Sequence, residues 1–154
     1  MKKTCIYVDT SVIGGCCDPE FMQWSNALLT DFKLGFFNLL LSELTDAEIY
    51  DAPEEVKKIY SDFRQLSLDI IKITEEVIEL TEAYLSHNIL SKNYRSDAIH
   101  IAAATIAGAD LIVSWNFKHI VHFDKIQKFN AVNIEVGYKP VLIYSPLEVT
   151  RHDD

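Results

Sequence analysis

The sequence predicts an α/β protein in three layers, an α/β/α sandwich around a central parallel sheet. Three observations carry this. Short apolar runs rich in strand-forming residues recur along the chain, among them "TCIYV" (4–8), "FFNLLLS" (36–42) and "DLIVS" (110–114). Segments of helical period separate them, and strands joined through helices pair in parallel by crossover. The runs are apolar nearly throughout rather than alternating, as strands buried on both faces are.

The first strand, 4–8, leads into a turn-rich stretch, "DTSVIGGCCDPE". A helix follows from Pro19 to about Leu34, with Phe21, Trp24, Leu28 and Phe32 along its apolar stripe and proline where a first turn tolerates it. The second strand, 36–42, gives way to short helical turns through Tyr50, where Thr45 and Glu48 have the spacing of a capping box. Pro53, Glu54 and Glu55 open the next helix. "SLDIIKIT" (67–74) reads as a strand, and 75–87 as an amphipathic helix carrying Val77, Ile78, Leu80 and Leu85. Ser96 then caps a helix with Asp97 in its first turn, where the helix dipole favours an acid. Gly108 marks the turn into the strand 110–114, and "PVLIYS" (140–145) is the last strand.

At 154 residues the chain is long enough to bury a real core, and one domain is expected over 1–150 with a short tail at 151–154. No stretch approaches roughly 18 consecutive apolar residues, so no membrane span is expected. The start, "MKKTCIYVDTS", lacks the apolar length of a secretory signal. Cys5, Cys16 and Cys17 have no metal-binding spacing, and an odd count without a signal implies reduced thiols. The expected compartment is the cytoplasm. A net charge of −9 argues against the broad basic footprint of most nucleic-acid binders and favours a cationic ligand, either a metal or a basic protein. Any nucleic-acid role then depends on bound cations and a few placed lysines or arginines.

Open parallel sheets bind ligands at the carboxyl ends of their strands. Four oxygen-bearing side chains are expected at that edge. Asp9 directly follows the first strand, and Glu48 lies beyond the second; Asp97 starts a helix that reaches the same edge, and Asn116 follows the strand ending at Ser114. Each has a plain structural explanation when taken singly, a turn for Asp9 and helix-end roles for Glu48 and Asp97. Glu43 is nearer its strand and competes with Glu48. Taken together, clustered carboxylates raise each other's pKa unless a divalent cation removes the repulsion. Mg²⁺ and Mn²⁺ prefer such oxygen donors, and phosphodiester hydrolysis fits the set.

Four stretches in order, "YVDTSVIGG", "LSELTDAEI", "YRSDAIHIAAA" and "LIVSWNFKHI", resemble the PIN domain family, in particular the VapC-type toxins of bacterial and archaeal toxin–antitoxin pairs. The likeness covers nearly the whole chain. It implies a PIN-like α/β/α fold and a Mg²⁺- or Mn²⁺-dependent endoribonuclease that cuts RNA, is neutralised by a cognate antitoxin and often forms a homodimer. It implies Asp9, Glu48 and Asp97 as catalytic metal ligands. Glu43 is set aside, because the family's strand-end serine, threonine and glutamate match Ser42, Thr45 and Glu48. Asn116 falls where many members carry a fourth aspartate. It is kept as an auxiliary catalytic residue, but it brings no charge and is expected to weaken a second metal more than the first.

Other residues are weighed and mostly set aside. His100 reads as a buried, hydrogen-bonded histidine, His119 and His122 as surface or packing residues, and Trp24 and Trp115 as core. Arg95 and Lys92 are the candidates for gripping an RNA phosphate, with solvated loop charge as the simpler account. Thr10 and Ser11 either contact a phosphate or water, or close a strand-end turn. No general base stands ready to make Cys16 or Cys17 a nucleophile. Two competing functions remain. One is a catalytically silent PIN-like binding module, motivated by the acidic charge and Asn116. The other is an aspartyl-phosphate phosphatase with Asp9 as nucleophile, disfavoured by Ser11 where that chemistry commonly has a second aspartate.

Overall fold

The structure, a computed structural model, describes residues 2–151; Met1 and the expected tail beyond Arg151 lie outside the described residues. β1 (Cys5–Val8) holds the middle of the sheet, paired in parallel with β2 (Asn38–Ser42) on one side and β4 (Leu111–Val113) on the other. β3 (Ser67–Ile71) and β5 (Leu142–Tyr144) flank these. The sheet of the described residues is therefore all parallel, in the order β3-β2-β1-β4-β5. Strand order reverses between β1 and β4, and a crevice for ligands is expected at the carboxyl end of that pair.

The two faces of the sheet build two cores. Ile6, Val8, Leu39, Leu41 and Val113 pack against α1 (Thr10–Gly15), α2 (Met22–Lys33), α3 (Glu43–Ile49) and α4 (Glu54–Leu66). Tyr7, Leu40, Ile112 and Ile143 point the other way, toward α5 (Glu75–Ser86), α6 (Arg95–Ile106) and α7 (Phe123–Glu135). This is the three-layer arrangement, and the period-two alternation of a strand sorts each side chain to its layer. The chain closes with α8 (Pro146–Val149), whose Ser145 and Glu148 form a capping box. α6 is buried along Ala98, Ile101, Ala102, Ala103 and Ala104, and the small alanines admit α5 close beside it. A side chain such as Ile101, fully removed from water, contributes about 1.5–3 kcal/mol. No described helix is long and apolar enough to cross a membrane.

Several local expectations need correction. The helix expected from Pro19 begins at Met22, because Asp18 Oδ1 accepts the Glu20 N–H at 2.8 Å and the Asp18 carbonyl accepts that of Phe21 at 3.0 Å. Pro19 lies in that turn. The stretch after Asp9, expected as a turn, winds into α1. Thr45 is not a cap: β2 runs into α3 with Ser42 at the N-cap position, which buries Thr45 inside the helix and rules out a Thr45–Glu48 capping box. Ser96 does not cap α6 either. A 3₁₀ turn over Lys92–Tyr94 leads directly into the helix, so Tyr94 holds the N-cap position and both Ser96 and Asp97 lie within the first turn. Gly108 does make the turn before β4, with φ of +74° in the left-handed region.

Candidate functional site

Asp9 sits at the carboxyl end of the central strand, at the point where strand order reverses. Its extended backbone makes it the N-cap residue of α1, yet its side chain does not cap the helix. Instead Ser11 Oγ donates to Oδ1 at 2.6 Å and Ser114 Oγ, beyond β4, donates to Oδ2 at 2.7 Å. Those serines are fixed in turn: Ser11 Oγ accepts the Trp115 N–H and Ser114 Oγ the Asn116 N–H, each at 2.9 Å. Ser11 thus belongs to the acid's own frame. Only 4% of Asp9 is exposed. Burial pushes its carboxyl above the ordinary range and the charge of Asp97 adds to this, against the pull of His100 and the two serine hydroxyls.

Glu48 reaches the same edge from α3. Thr10 Oγ1 donates to its Oε1 at 2.7 Å, and His100 Nε2 lies 2.6 Å from the same oxygen. The other ring nitrogen of His100, Nδ1, is 2.5 Å from the Tyr7 hydroxyl, which also bonds Ser42 Oγ at 2.8 Å. His100 is therefore the buried, satisfied histidine expected, at 2% exposure. Its carboxylate partner is Glu48, across the sheet edge, rather than Asp97 on its own helix. Burial alone would raise Glu48, but the bond and charge of His100, with Thr10, outweigh it and hold the carboxyl below its ordinary value. Glu43 faces elsewhere: its Oε2 accepts the Ile73 N–H at 2.9 Å, past the end of β3.

Asp97 projects from the first turn of α6, and His119 Nδ1 lies 3.1 Å from its Oδ2. His119 is 8% exposed, and its ring lies on that of Tyr94 with centroids 3.8 Å apart. Asn116 explains how His119 arrives there. Its Oδ1 accepts the His119 N–H at 2.9 Å and its carbonyl accepts the N–H groups of Ile120 and Val121, so the amide organises the turn that delivers the histidine. His119, set aside on sequence as packing or surface, is a site neighbour that spacing did not reveal. His122 takes the N-cap position of α7. Arg95 is paired with Glu82. Trp115 is buried and Nε1 donates to Ser25 Oγ at 2.7 Å. Cys16 is buried, and its thiol is pushed up to about 12 by burial, which leaves it inert as a nucleophile.

The fold thus brings all four expected residues to one sheet edge. Thr10 links Asp9 to Glu48 by chain and hydrogen bond, Ser114 links Asp9 to Asn116, and Asp97 is near enough to shift Asp9. They are not drawn into ligand contact: among the described residues no three His, Cys, Asp or Glu side chains are already spaced to hold one ion. Glu48 and Asp97 each lean on a histidine through a single oxygen. Glu48 Oε2 and Asp97 Oδ1 make no hydrogen bond among the described residues, and Asp9 is buried with no cationic side chain bonded to it. A hard divalent cation suits such an all-oxygen donor set.

Neither a family model nor any curated protein matches the sequence. Solved structures match in fold. A chain of FitAcB from Neisseria gonorrhoeae is 17% identical with a TM-score of 0.60, over 94% of this chain and 99% of that one. A chain of FitAB bound to an IR36 DNA fragment is 16% identical at a TM-score of 0.59, over 96% and 99%. VapBC2 from Rickettsia felis, bound to a DNA fragment from their promoter, contributes a chain 13% identical at 0.55, over 92% and 98%. The likeness is one of fold, and it is the PIN-like α/β/α fold that the sequence implies.

Proposed function

We propose that the protein is a Mg²⁺- or Mn²⁺-dependent endoribonuclease, the toxin of a toxin–antitoxin pair, acting in the cytoplasm. Asp9, Glu48 and Asp97 are its metal ligands and Asn116 an auxiliary residue. The observation that carries this reading is Asp9: a carboxylate at the switch point of the sheet, bonded to two serine hydroxyls, whose carboxyl burial pushes up, with the charge of Asp97 adding to it. Such an arrangement costs stability and is found where chemistry needs it. The resemblance to VapC-type toxins and the shared fold with chains of FitAcB, FitAB and VapBC2 support the same reading.

Mg²⁺ or Mn²⁺ supplies such a cluster with charge for a phosphoryl oxygen and with a more acidic water. The chain's own residues do the aiming. Ser11 and Ser114 hold both oxygens of Asp9; Thr10 and His100 fix Glu48 by Oε1 and leave Oε2; His119 fixes Asp97 by Oδ2 and leaves Oδ1. Asn116 acts through the turn it caps. A net charge of −9 suits a basic antitoxin segment as partner. Association as a homodimer follows from the same resemblance.

Purified Asp9→Asn and Asp97→Asn proteins, checked for folding by circular dichroism, are expected to lose Mg²⁺-dependent RNA cleavage. Cleavage at the wild-type rate by either overturns the assignment. A second reading, the silent binding module, is favoured by Asn116, which carries no charge and whose Oδ1 is taken by a backbone N–H. Calorimetric titration with Mn²⁺ separates the two, since absence of binding up to millimolar concentration favours the silent module.

A further inference from the structure

We propose that Tyr94, with Lys118 beside it, forms a stacking ledge for an unpaired base of single-stranded RNA next to Asp97. This rests on the nuclease reading and names how its substrate is gripped. Tyr94 ends the 3₁₀ turn before α6 and is 38% exposed, although its ring packs on His119 at 3.8 Å between centroids with a 37° tilt. His119 is itself held by Asp97 and by the Asn116 turn. The tyrosine is thus mounted on the acidic site through one buried ring, and an aromatic already held in place loses little freedom when a base lies against it.

The turn after β4 delivers Lys118 to the ledge. The Phe117 N–H donates to the Trp115 carbonyl at 2.9 Å, a three-residue turn with Asn116 at its apex. Phe117 stands 50% exposed, edge-on to Trp115 at 6.1 Å between centroids. Lys118 Nζ lies over the Tyr94 ring, 5.9 Å from its centre, a cation–π contact that its flexible stem lets it exchange for a phosphate when a base takes the ring; it forms no ion pair among the described residues, whereas Arg95 is neutralised by Glu82. A lysine there meets the phosphate of a stacked nucleotide.

The protein's overall charge makes such a ledge useful. At −9 the surface repels a polyanion, so an interaction that does not depend on net charge adds affinity beside the placed lysine and bound cations. Base–aromatic stacking is one, and it requires bases that are not already stacked in a duplex.

The test is fluorescence anisotropy with an end-labelled single-stranded oligoribonucleotide of about twelve nucleotides, with Ca²⁺ replacing Mg²⁺ to hold off cleavage. Tyr94→Leu keeps apolar bulk on His119 and removes the π-face; it is expected to weaken binding by about five- to a hundredfold, while Tyr94→Phe binds as wild type. Placing one abasic nucleotide at each position in turn should reveal a site that matters to the wild type and not to Tyr94→Leu, a coupling that mere destabilisation cannot produce. Equal binding by Tyr94→Leu and wild type, or identical abasic profiles, overturns the ledge and leaves the nuclease reading standing. If the wild type binds no RNA, the nuclease reading falls and the ledge with it.

Discussion

His100 Nε2 stands 2.6 Å from Glu48 Oε1, while Nδ1 of the same ring stands 2.5 Å from the Tyr7 hydroxyl. One buried imidazole therefore ties an acid at the sheet edge to a tyrosine in the central strand. His100→Ala leaves the Tyr7 hydroxyl with Ser42 alone and frees Glu48 to turn. The expected cost is about 1–3 kcal/mol in urea unfolding, from the lost buried bonds. On the proposed nuclease reading, cleavage falls by about 10–100-fold, as when the residue orienting a metal ligand is removed. A variant that is destabilised but cleaves at the wild-type rate would show that Glu48 needs no orientation.

Asp9 and Glu48 are shifted in opposite directions, which separates their effects on stability. The folded protein holds the Asp9 proton more tightly than the unfolded chain, so its contribution is present at low pH and is lost as pH rises through the folded pKa. Glu48 is depressed, so its contribution is present above the ordinary carboxylate range and is lost as pH falls through its folded pKa. Hence Asp9→Asn should be more stable than wild type at neutral pH, with the advantage shrinking in acid. Glu48→Gln should be less stable at neutral pH and converge in acid. Urea midpoints across that pH range decide the matter; an Asp9→Asn protein less stable than wild type at neutral pH contradicts the account.

Glu43 and Glu48 lie on the same short helix, and their contacts differ. Glu43 receives the Ile73 N–H at 2.9 Å, a bond that anchors the chain after β3. Glu43→Gln should cost about 1 kcal/mol or less and leave cleavage unchanged, because an amide oxygen still accepts that bond. Activity lost with Glu43→Gln and kept with Glu48→Gln reverses the two roles.

Gly15 closes α1 against Trp115. A Cβ there would come within 2.6 Å of Ser25 Oγ and 2.8 Å of Trp115 Nε1, the two ends of one buried hydrogen bond. Gly15→Ala should therefore destabilise by about 1–3 kcal/mol, in spite of alanine's better helix propensity. Tryptophan fluorescence during urea unfolding measures both the loss and the disturbed indole; an unchanged midpoint would show that the indole yields without strain.

The three central strands were legible because strands buried on both faces are written as unbroken apolar runs, and the half-exposed edge strands β3 and β5 by their β-branched and apolar residues; Asp9 and Asp97 were legible because each adjoins a strand end or helix start. Helix starts were read less well. Thr45 and Ser96 are cap-forming types, but the carboxyl end of β2 and the 3₁₀ turn at Lys92 set where α3 and α6 begin. α7 falls in "FDKIQKFNAVNIE", a stretch too polar to announce a core helix, although Phe129, Val132 and Asn133 are buried. The pairing of His119 with Asp97, and the meeting of Tyr7, Ser42 and His100, arise where separate elements converge. Local periodicity carries no signal for such contacts.

Because β1 lies between β2 and β4, Asp9 is made early and finished late. A ribosome releases Asp9 and Glu48 long before Asp97, His100, Ser114 and His119, and β1 has only one flank covered until residue 113 has emerged. A nascent chain that ends before residue 114 consequently lacks both the serine that holds Asp9 from β4 and the histidine that holds Asp97, so the acidic cluster takes its arrangement only after most of the chain has been made.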